Sequence, residues 1–129
     1  MTNREIYKAA LVKLDEPTEE GMNPDYDERV AQLIAQFCRL ASDVERKYRA
    51  AYGMGKRGGK LKAEPGLDEE FALCEAFEAP AITYLAAELV RYNDERFSER
   101  LSEEWIDFMT SLECSLPAAL ERVVDRYAF

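Results

Sequence analysis

The chain has 129 residues, 47% of them hydrophobic, and a formal net charge of -9. This length favours a single domain, residues 1–129, with enough apolar material for one core. The chain contains no histidine, which excludes Ser-His-Asp and Cys-His catalytic sites. Its acidic balance disfavours sequence-independent binding to duplex DNA, because such binding depends on basic surface.

The N-terminal stretch and the cysteines predict a cytosolic protein without disulfides. Charged residues interrupt the opening MTNREIYKAALVKLDEP, unlike a signal peptide, and no stretch is apolar for long enough to cross a membrane. Cys38, Cys74 and Cys114 are widely spaced among apolar residues. This spacing predicts buried small side chains rather than a disulfide framework or a zinc site. We expect neither a metal nor a cofactor.

The first part of the chain predicts a short helix followed by an acidic loop. Apolar residues recur at helical spacing along most of the sequence, and no segment alternates convincingly with the period of a strand. Thr2 and Glu5 fit a capping box at the start of the first helix. The stretch 15–27, with two prolines and a glycine, predicts the loop that follows it.

A long second helix is the strongest prediction from periodicity. Asn23 fits its cap and Pro24 its first position, while Gly53 fits its C-terminal end. At about 1.5 Å per residue the helix would be about 42 Å long. We therefore expect its basic end, ERKYRAAYG, to project from the body of the domain.

The second half of the chain predicts further helices joined by short links. Pro80 opposes an uninterrupted helix through residues 67–80, so we expect an extended or one-turn entry and a helix from near Glu78. The alanines of APAITYLAAELV indicate central packing. The turn YND leads into a helix whose apolar stripe places Trp105 and Phe108 in the core, giving an antiparallel helical hairpin.

The predicted fold is therefore all-α. A last helix is expected to restart at Ser115 and Pro117 and to carry apolar residues as far as Tyr127. The result is a bundle of four to five helices, with a long central Gly/Lys-rich loop that forms a flexible insertion at about residues 53–66.

This Gly/Lys segment is the first candidate site. It carries Lys56, Arg57, Lys60 and Lys62 against a single acid, Glu64, and so has a net charge of +3. A phosphate-binding loop of the G-x-x-x-x-G-K-[ST] type does not fit, because the spacing is wrong and a helix rather than a strand precedes it. Two interpretations stay open: a solvated connector, or a loop that contacts a phosphate backbone or an acidic partner.

Two further features carry weaker functional interpretations. Exposed tyrosines at the end of the second helix, Tyr48 and Tyr52, are candidates for a subunit interface, where tyrosine is enriched, although ordinary half-burial is the favoured explanation for them. An acidic stripe at helical spacing comprises Glu95, Glu99, Glu103 and Asp107. Such a stripe is either a solvated face, balanced by Arg96 and Arg100, or a magnesium site of the kind found in all-α nucleotide pyrophosphatases.

Three segments together resemble a known family. TNREIYKAALVKL, EFALCEAFEAPAITYLAAELV and LPAALERVVDRYAF are similar, in pattern and order, to segments of small head-tail connector proteins of tailed phages and prophages, also called head-completion or adaptor proteins. The likeness spans most of the chain but includes no diagnostic motif.

The resemblance implies a virion structural protein without enzymatic activity. Such proteins form a ring beneath the portal, extend the DNA channel and dock the tail. The implied partners are copies of the same chain, portal and tail proteins, and DNA that passes through without sequence-specific contact. The implied location is the bacterial cytoplasm during assembly and then the virion. The acidic surplus of the chain suits such a channel, because a negative wall repels the phosphates and lets DNA slide.

Two other classes of function remain as alternatives. The first is a small helical regulatory or protein-interaction module, in which the tyrosines and the basic loop form the contact. The second is a metal-dependent nucleotide hydrolase that uses the acidic stripe.

Overall fold

The computed structural model describes residues 1–116, and for these residues it confirms the all-α class. The four helices of this range are α1 (Asn3–Lys13), α2 (Asp27–Ala51), α3 (Glu78–Val90) and α4 (Glu95–Ser115), and a short 3-10 turn, Glu75–Phe77, leads into α3. Within residues 1–116, β-type pairing is limited to one isolated bridge between Thr2 and Glu70. The further helix predicted from Ser115 and Pro117 lies outside the described residues from position 117 onward.

The capping box predicted for α1 is confirmed. The Glu5 amide donates to the Thr2 hydroxyl oxygen at 3.2 Å, and the Thr2 amide donates to the Glu5 carboxylate at 3.3 Å. Two of the unpaired amides at the helix start are thereby satisfied. The helix buries Ile6, Tyr7 and Leu11 on one face, as its spacing predicts.

The predicted start of α2 is wrong by about one turn. The helix begins at Asp27 rather than at Pro24, because the residues before it form a separate turn. The side chain of Asn23 accepts from the Asp25 amide, and the Asp27 carboxylate accepts from the Asn23 amide and from the Tyr7 hydroxyl. These contacts stabilise an Asx-type turn, which leads into the helix because the Asn23 carbonyl also accepts from the Asp27 amide at 2.9 Å.

The C-terminal end of α2 lies on the body of the protein rather than projecting from it. Gly53 follows the helix with a φ of 66°, the left-handed conformation that favours glycine, so its predicted role in ending the helix is confirmed. Tyr48 meets the buried Phe77 edge to face, with ring centroids 5.6 Å apart, and Ala51 packs against the core. The predicted projection is therefore wrong.

Helix α3 is the central element of the bundle, as its alanines predict. It contacts α1, α2 and α4. Ala81, Ala86 and Ala87 are all buried, and their small side chains let neighbouring helices approach closely. The entry was also predicted correctly: a single 3-10 turn precedes a helix that begins at Glu78.

Helices α3 and α4 form the most extensive helix pair, in agreement with the predicted hairpin. Their register is fixed in part by the buried Ser98 hydroxyl, which donates to the Ala87 carbonyl at 2.9 Å. Trp105 is half-buried and packs edge-on against Tyr84, with centroids 5.2 Å apart. Phe108, however, is 38% exposed. Its core placement was wrong because α4 turns that face away from the other described helices.

The three cysteines have three different environments. Cys38 is buried as predicted, Cys74 is half-buried, and Cys114 is exposed, so the prediction of burial is wrong for Cys114. All three are free thiols. No helix within residues 1–116 combines the length and the apolar character needed to cross a bilayer.

Two phenylalanines provide a matched test of this packing. Phe77→Ala removes a fully buried ring, and we expect it to lower the free energy of unfolding by about 3–5 kcal/mol. Phe108→Ala should cost less than about 1 kcal/mol, because the ring is largely at the surface. Urea denaturation of the two variants measures both values; similar losses would contradict the assigned positions.

Thiol reactivity tests the cysteine environments. Burial raises the pKa of Cys38 to about 11, so its reactive thiolate is scarce at pH 8. We expect the native protein to alkylate rapidly at Cys114 and not at Cys38, and both to react once the chain is unfolded in urea. Peptide mass mapping after brief iodoacetamide treatment reads out each site. Rapid labelling of native Cys38 would show that its side chain is not buried as described.

Candidate interaction site

A buried carboxylate organises the C-terminal end of α2. The side chain of Glu45 is 1% exposed. Its Oε2 accepts from Arg49 Nε at 2.7 Å and from the Cys74 amide at 3.1 Å, while its Oε1 accepts from Arg57 Nη1 at 3.2 Å. A carboxylate in this position requires such partners, because an unpaired buried charge is strongly destabilising. We call these four residues the Glu45 clamp.

The Glu45 clamp joins three segments that are distant in sequence. Arg49 lies one turn after Glu45 on α2, and its Nη1 also donates to the Gly55 carbonyl at 3.2 Å. Arg57 comes from the Gly/Lys segment, and Cys74 from the entry to α3. Arg57 Nε is buried without an acceptor among the described residues. The start of the Gly/Lys segment is thereby folded back onto α2.

Beside the clamp lies an open basic cleft of about 300 Å³. Its lining has four positively charged side chains, Arg46, Arg49, Lys56 and Arg57, and one carboxylate, that of Glu45. Glu45 is engaged by the two clamp arginines. Arg46, paired only with the exposed Asp43, and the exposed Lys56 therefore present positive charge to the outside.

The four cations predicted as a contact surface do not lie together. Lys56 and Arg57 line the basic cleft, whereas Lys60 and Lys62 line a separate small cavity beside α1 and α2. Lys62 Nζ pairs with the Glu69 carboxylate at 3.0 Å.

The following stretch is tied to the start of α1 by backbone pairing. The amides of Asn3 and Arg4 donate to the carbonyls of Glu69 and Leu67, at 2.9 Å and 2.7 Å, and Phe71 donates to the Met1 carbonyl at 2.9 Å. The Gly/Lys segment is thus attached to α2 at one end and leads into this pairing at the other.

The two candidate interface tyrosines differ in exposure. Their rings are 4.5 Å apart. Tyr48 is half-buried between Tyr52 and Phe77, and Tyr52 is exposed. The exposed Met54 lines the basic cleft, and Tyr52 lies two residues before it in the chain.

Three of the four residues of the acidic stripe of α4 line an open groove at the α3–α4 turn, and the fourth, Asp107, lies outside it. This acidic groove, of about 900 Å³, contains four carboxylates, those of Glu88, Glu95, Glu99 and Glu103, and one guanidinium, that of Arg91. Among residues 1–116, the stripe carboxylates make no ion pair with Arg96 or Arg100. Arg100 lies over the Phe97 ring instead. The predicted neutralisation of the stripe is therefore not observed.

The acidic groove does not have the geometry of a metal site. Nowhere in the described range do three histidine, cysteine or acidic side chains converge closely enough to hold a metal ion. The hydrolase interpretation consequently gains no geometric support from residues 1–116.

The sequence indicated the positive charge of the basic cleft but not the Glu45 clamp at its centre. The basic end of α2 was visible in ERKYRAAYG, and the i, i+4 spacing of Glu45 and Arg49 marks a helical ion pair. The contact of Glu45 with Arg57 and Cys74 joins residues far apart in the chain, so no local pattern could reveal it. No family model, curated protein or solved structure matches the chain.

The Glu45 clamp makes a specific prediction for stability. Glu45→Gln retains the shape and one acceptor but removes the charge shared by Arg49 and Arg57, so we expect a loss of about 1.5–3 kcal/mol in the free energy of unfolding. Glu28→Gln, at an exposed position of the same helix, should cost only a few tenths of a kcal/mol. Guanidinium denaturation measures the free energy of unfolding of both variants. Equal losses would show that the Glu45 clamp does not stabilise the fold.

Proposed function

We propose that this chain is a non-enzymatic assembly subunit of the head-tail connector kind, which works by binding other protein subunits at a phage portal. The observation that carries the proposal is the basic cleft. It is held by a buried carboxylate, yet it presents Arg46 and Lys56 outward, and the exposed Tyr52 lies close to Met54 of its lining in the chain. Arginine and tyrosine are enriched where proteins contact each other.

The charge distribution supports the same function. The chain is acidic overall, with positive charge gathered at one end of α2 and negative charge along α4. A negative surplus suits a subunit of a DNA channel, since it repels the passing phosphates. The resemblance in three segments gives the proposal its specific form, with a ring of copies, a portal and a tail as partners.

A second candidate, a regulatory helical interaction module, is favoured by a different feature. An apolar groove lies between α2 and α4, and its lining includes Leu40, Trp105, Ile106 and Met109. Leu40 and Ile106 are exposed. A groove of this kind accepts the apolar face of a partner helix.

Mass measurement with a portal protein tests the leading proposal. We expect the purified chain, mixed with the portal protein encoded in the same genome, to form a complex with an integral number of copies per portal ring. Native mass spectrometry or sedimentation velocity gives that number. A genome without portal, capsid and tail genes, or a chain that never binds the portal, would favour the interaction module instead.

A further inference from the structure

We propose that the basic cleft of one copy binds the acidic groove of a second copy, so that the chain associates head to tail. This inference deepens the proposed assembly function by naming the two surfaces in contact. It depends on the location, charge and apolar rim of each surface.

The two surfaces lie at opposite ends of α2. Arg29, in the first turns of α2, donates from Nη2 to the Leu89 carbonyl at 3.2 Å. This places the start of α2 beside the end of α3, where Glu88 and Tyr92 belong both to the acidic groove and to a hollow shared with Arg29. The basic cleft is formed around Arg49, about 30 Å further along the helix at 1.5 Å per residue.

The charges of the two surfaces are complementary. The cleft has four cations and one carboxylate, and the groove has four carboxylates and one guanidinium. Within one chain, the exposed charged side chains of both surfaces have few partners of opposite charge. Arg46 pairs only with Asp43, and Glu99 and Glu103 make no ion pair within residues 1–116. Pairing across two copies brings opposite charges together and fixes the register of the contact.

Both surfaces also offer apolar side chains at the rim or in the lining. Met54 is exposed in the lining of the cleft, with the exposed Tyr52 two residues before it in the chain, and Tyr92 and Ile106 are exposed at the groove. An interface needs such residues, because desolvated aromatic and methionine contacts supply most of its affinity while the charges select the partner.

A second copy fits the cleft better than a nucleic acid does. The clamp carboxylate already engages two of the four cleft cations, which leaves Arg46 and Lys56 for a phosphate backbone, whereas sequence-independent binding to DNA depends on many such contacts. A neighbouring copy instead brings a groove of matching charge. A contact between two different surfaces leaves one of each free at the ends, and so closes into a ring or continues as a filament.

A charge-swap experiment tests the contact. The cleft variant carries Arg46→Glu and Lys56→Glu, and the groove variant carries Glu99→Lys and Glu103→Lys. All four side chains are exposed, with Arg46 at 73%, so both variants should fold, which circular dichroism checks. We expect each variant alone to self-associate at least about tenfold more weakly than the unmodified chain in sedimentation equilibrium.

An equimolar mixture of the two variants is the decisive sample. Each contact between unlike variants pairs an unaltered or a doubly reversed set of charges, and contacts between like variants stay repulsive, so association should return to within about threefold of the unmodified chain. Arg39→Glu, at another exposed position on α2, and Glu19→Lys, in the acidic loop, are matched controls that should have little effect.

Several results would overturn the inference: an unmodified chain that stays monomeric at about millimolar concentration, variants that associate normally, or a mixture that remains dissociated. A cleft variant that loses affinity for duplex DNA but keeps self-association would also overturn it, assigning the cleft to phosphate. A chain that binds the portal while both variants associate normally would leave the connector function standing without this interface. Head-to-tail assembly of a chain that does not bind the portal would support this interface and contradict the connector function.

Discussion

The structure depends on one buried carboxylate. Glu45 lies on the core side of α2, where a side chain of its charge requires compensation, and the protein supplies it from three places: Arg49 on the same helix, Arg57 from the Gly/Lys segment, and the amide of Cys74. Because these partners are far apart in the chain, compensating the charge of Glu45 also fixes the start of the Gly/Lys segment against α2. The clamp thereby converts a glycine-rich stretch with little apolar content into a defined surface next to α2.

Helix α3 supplies the other half of the architecture. Its alanines allow α1, α2 and α4 to pack closely around it, so both ends of α2 are held against α3 and the segments that flank it. One end meets the turn between α3 and α4 through Arg29, and the other meets the entry to α3 through Tyr48 and Glu45. A rigid helix between them separates the acidic groove from the basic cleft, which is the arrangement that a repeating assembly requires.

The use of charge is consistent across the molecule. Most acidic side chains are spread over the solvent-exposed surface. Charge of one sign is concentrated in two places, positive charge in the cleft and negative charge in the groove. The exposed apolar side chains of Met54, in the cleft, and Tyr92, in the groove, are not needed by the core, which is already filled by residues from all four described helices. Exposed aromatic residues next to unbalanced charge are typical of surfaces that bind other proteins.

The sequence alone determined the helical class, the capping box at Thr2, the end of α2 at Gly53 and the entry to α3, because each depends on residues within one or two turns of one another. Tertiary structure decided what local patterns cannot show. Phe108 lies on the predicted apolar stripe of α4, but its ring is exposed in the folded chain. Likewise, Lys56 and Arg57 are neighbours of Lys60 and Lys62 in the chain, yet the pairing of Arg57 with Glu45 and of Lys62 with Glu69 places them on two different surfaces. Compensation of charge between distant residues is a property of the folded chain, and it is this compensation that defines the candidate site.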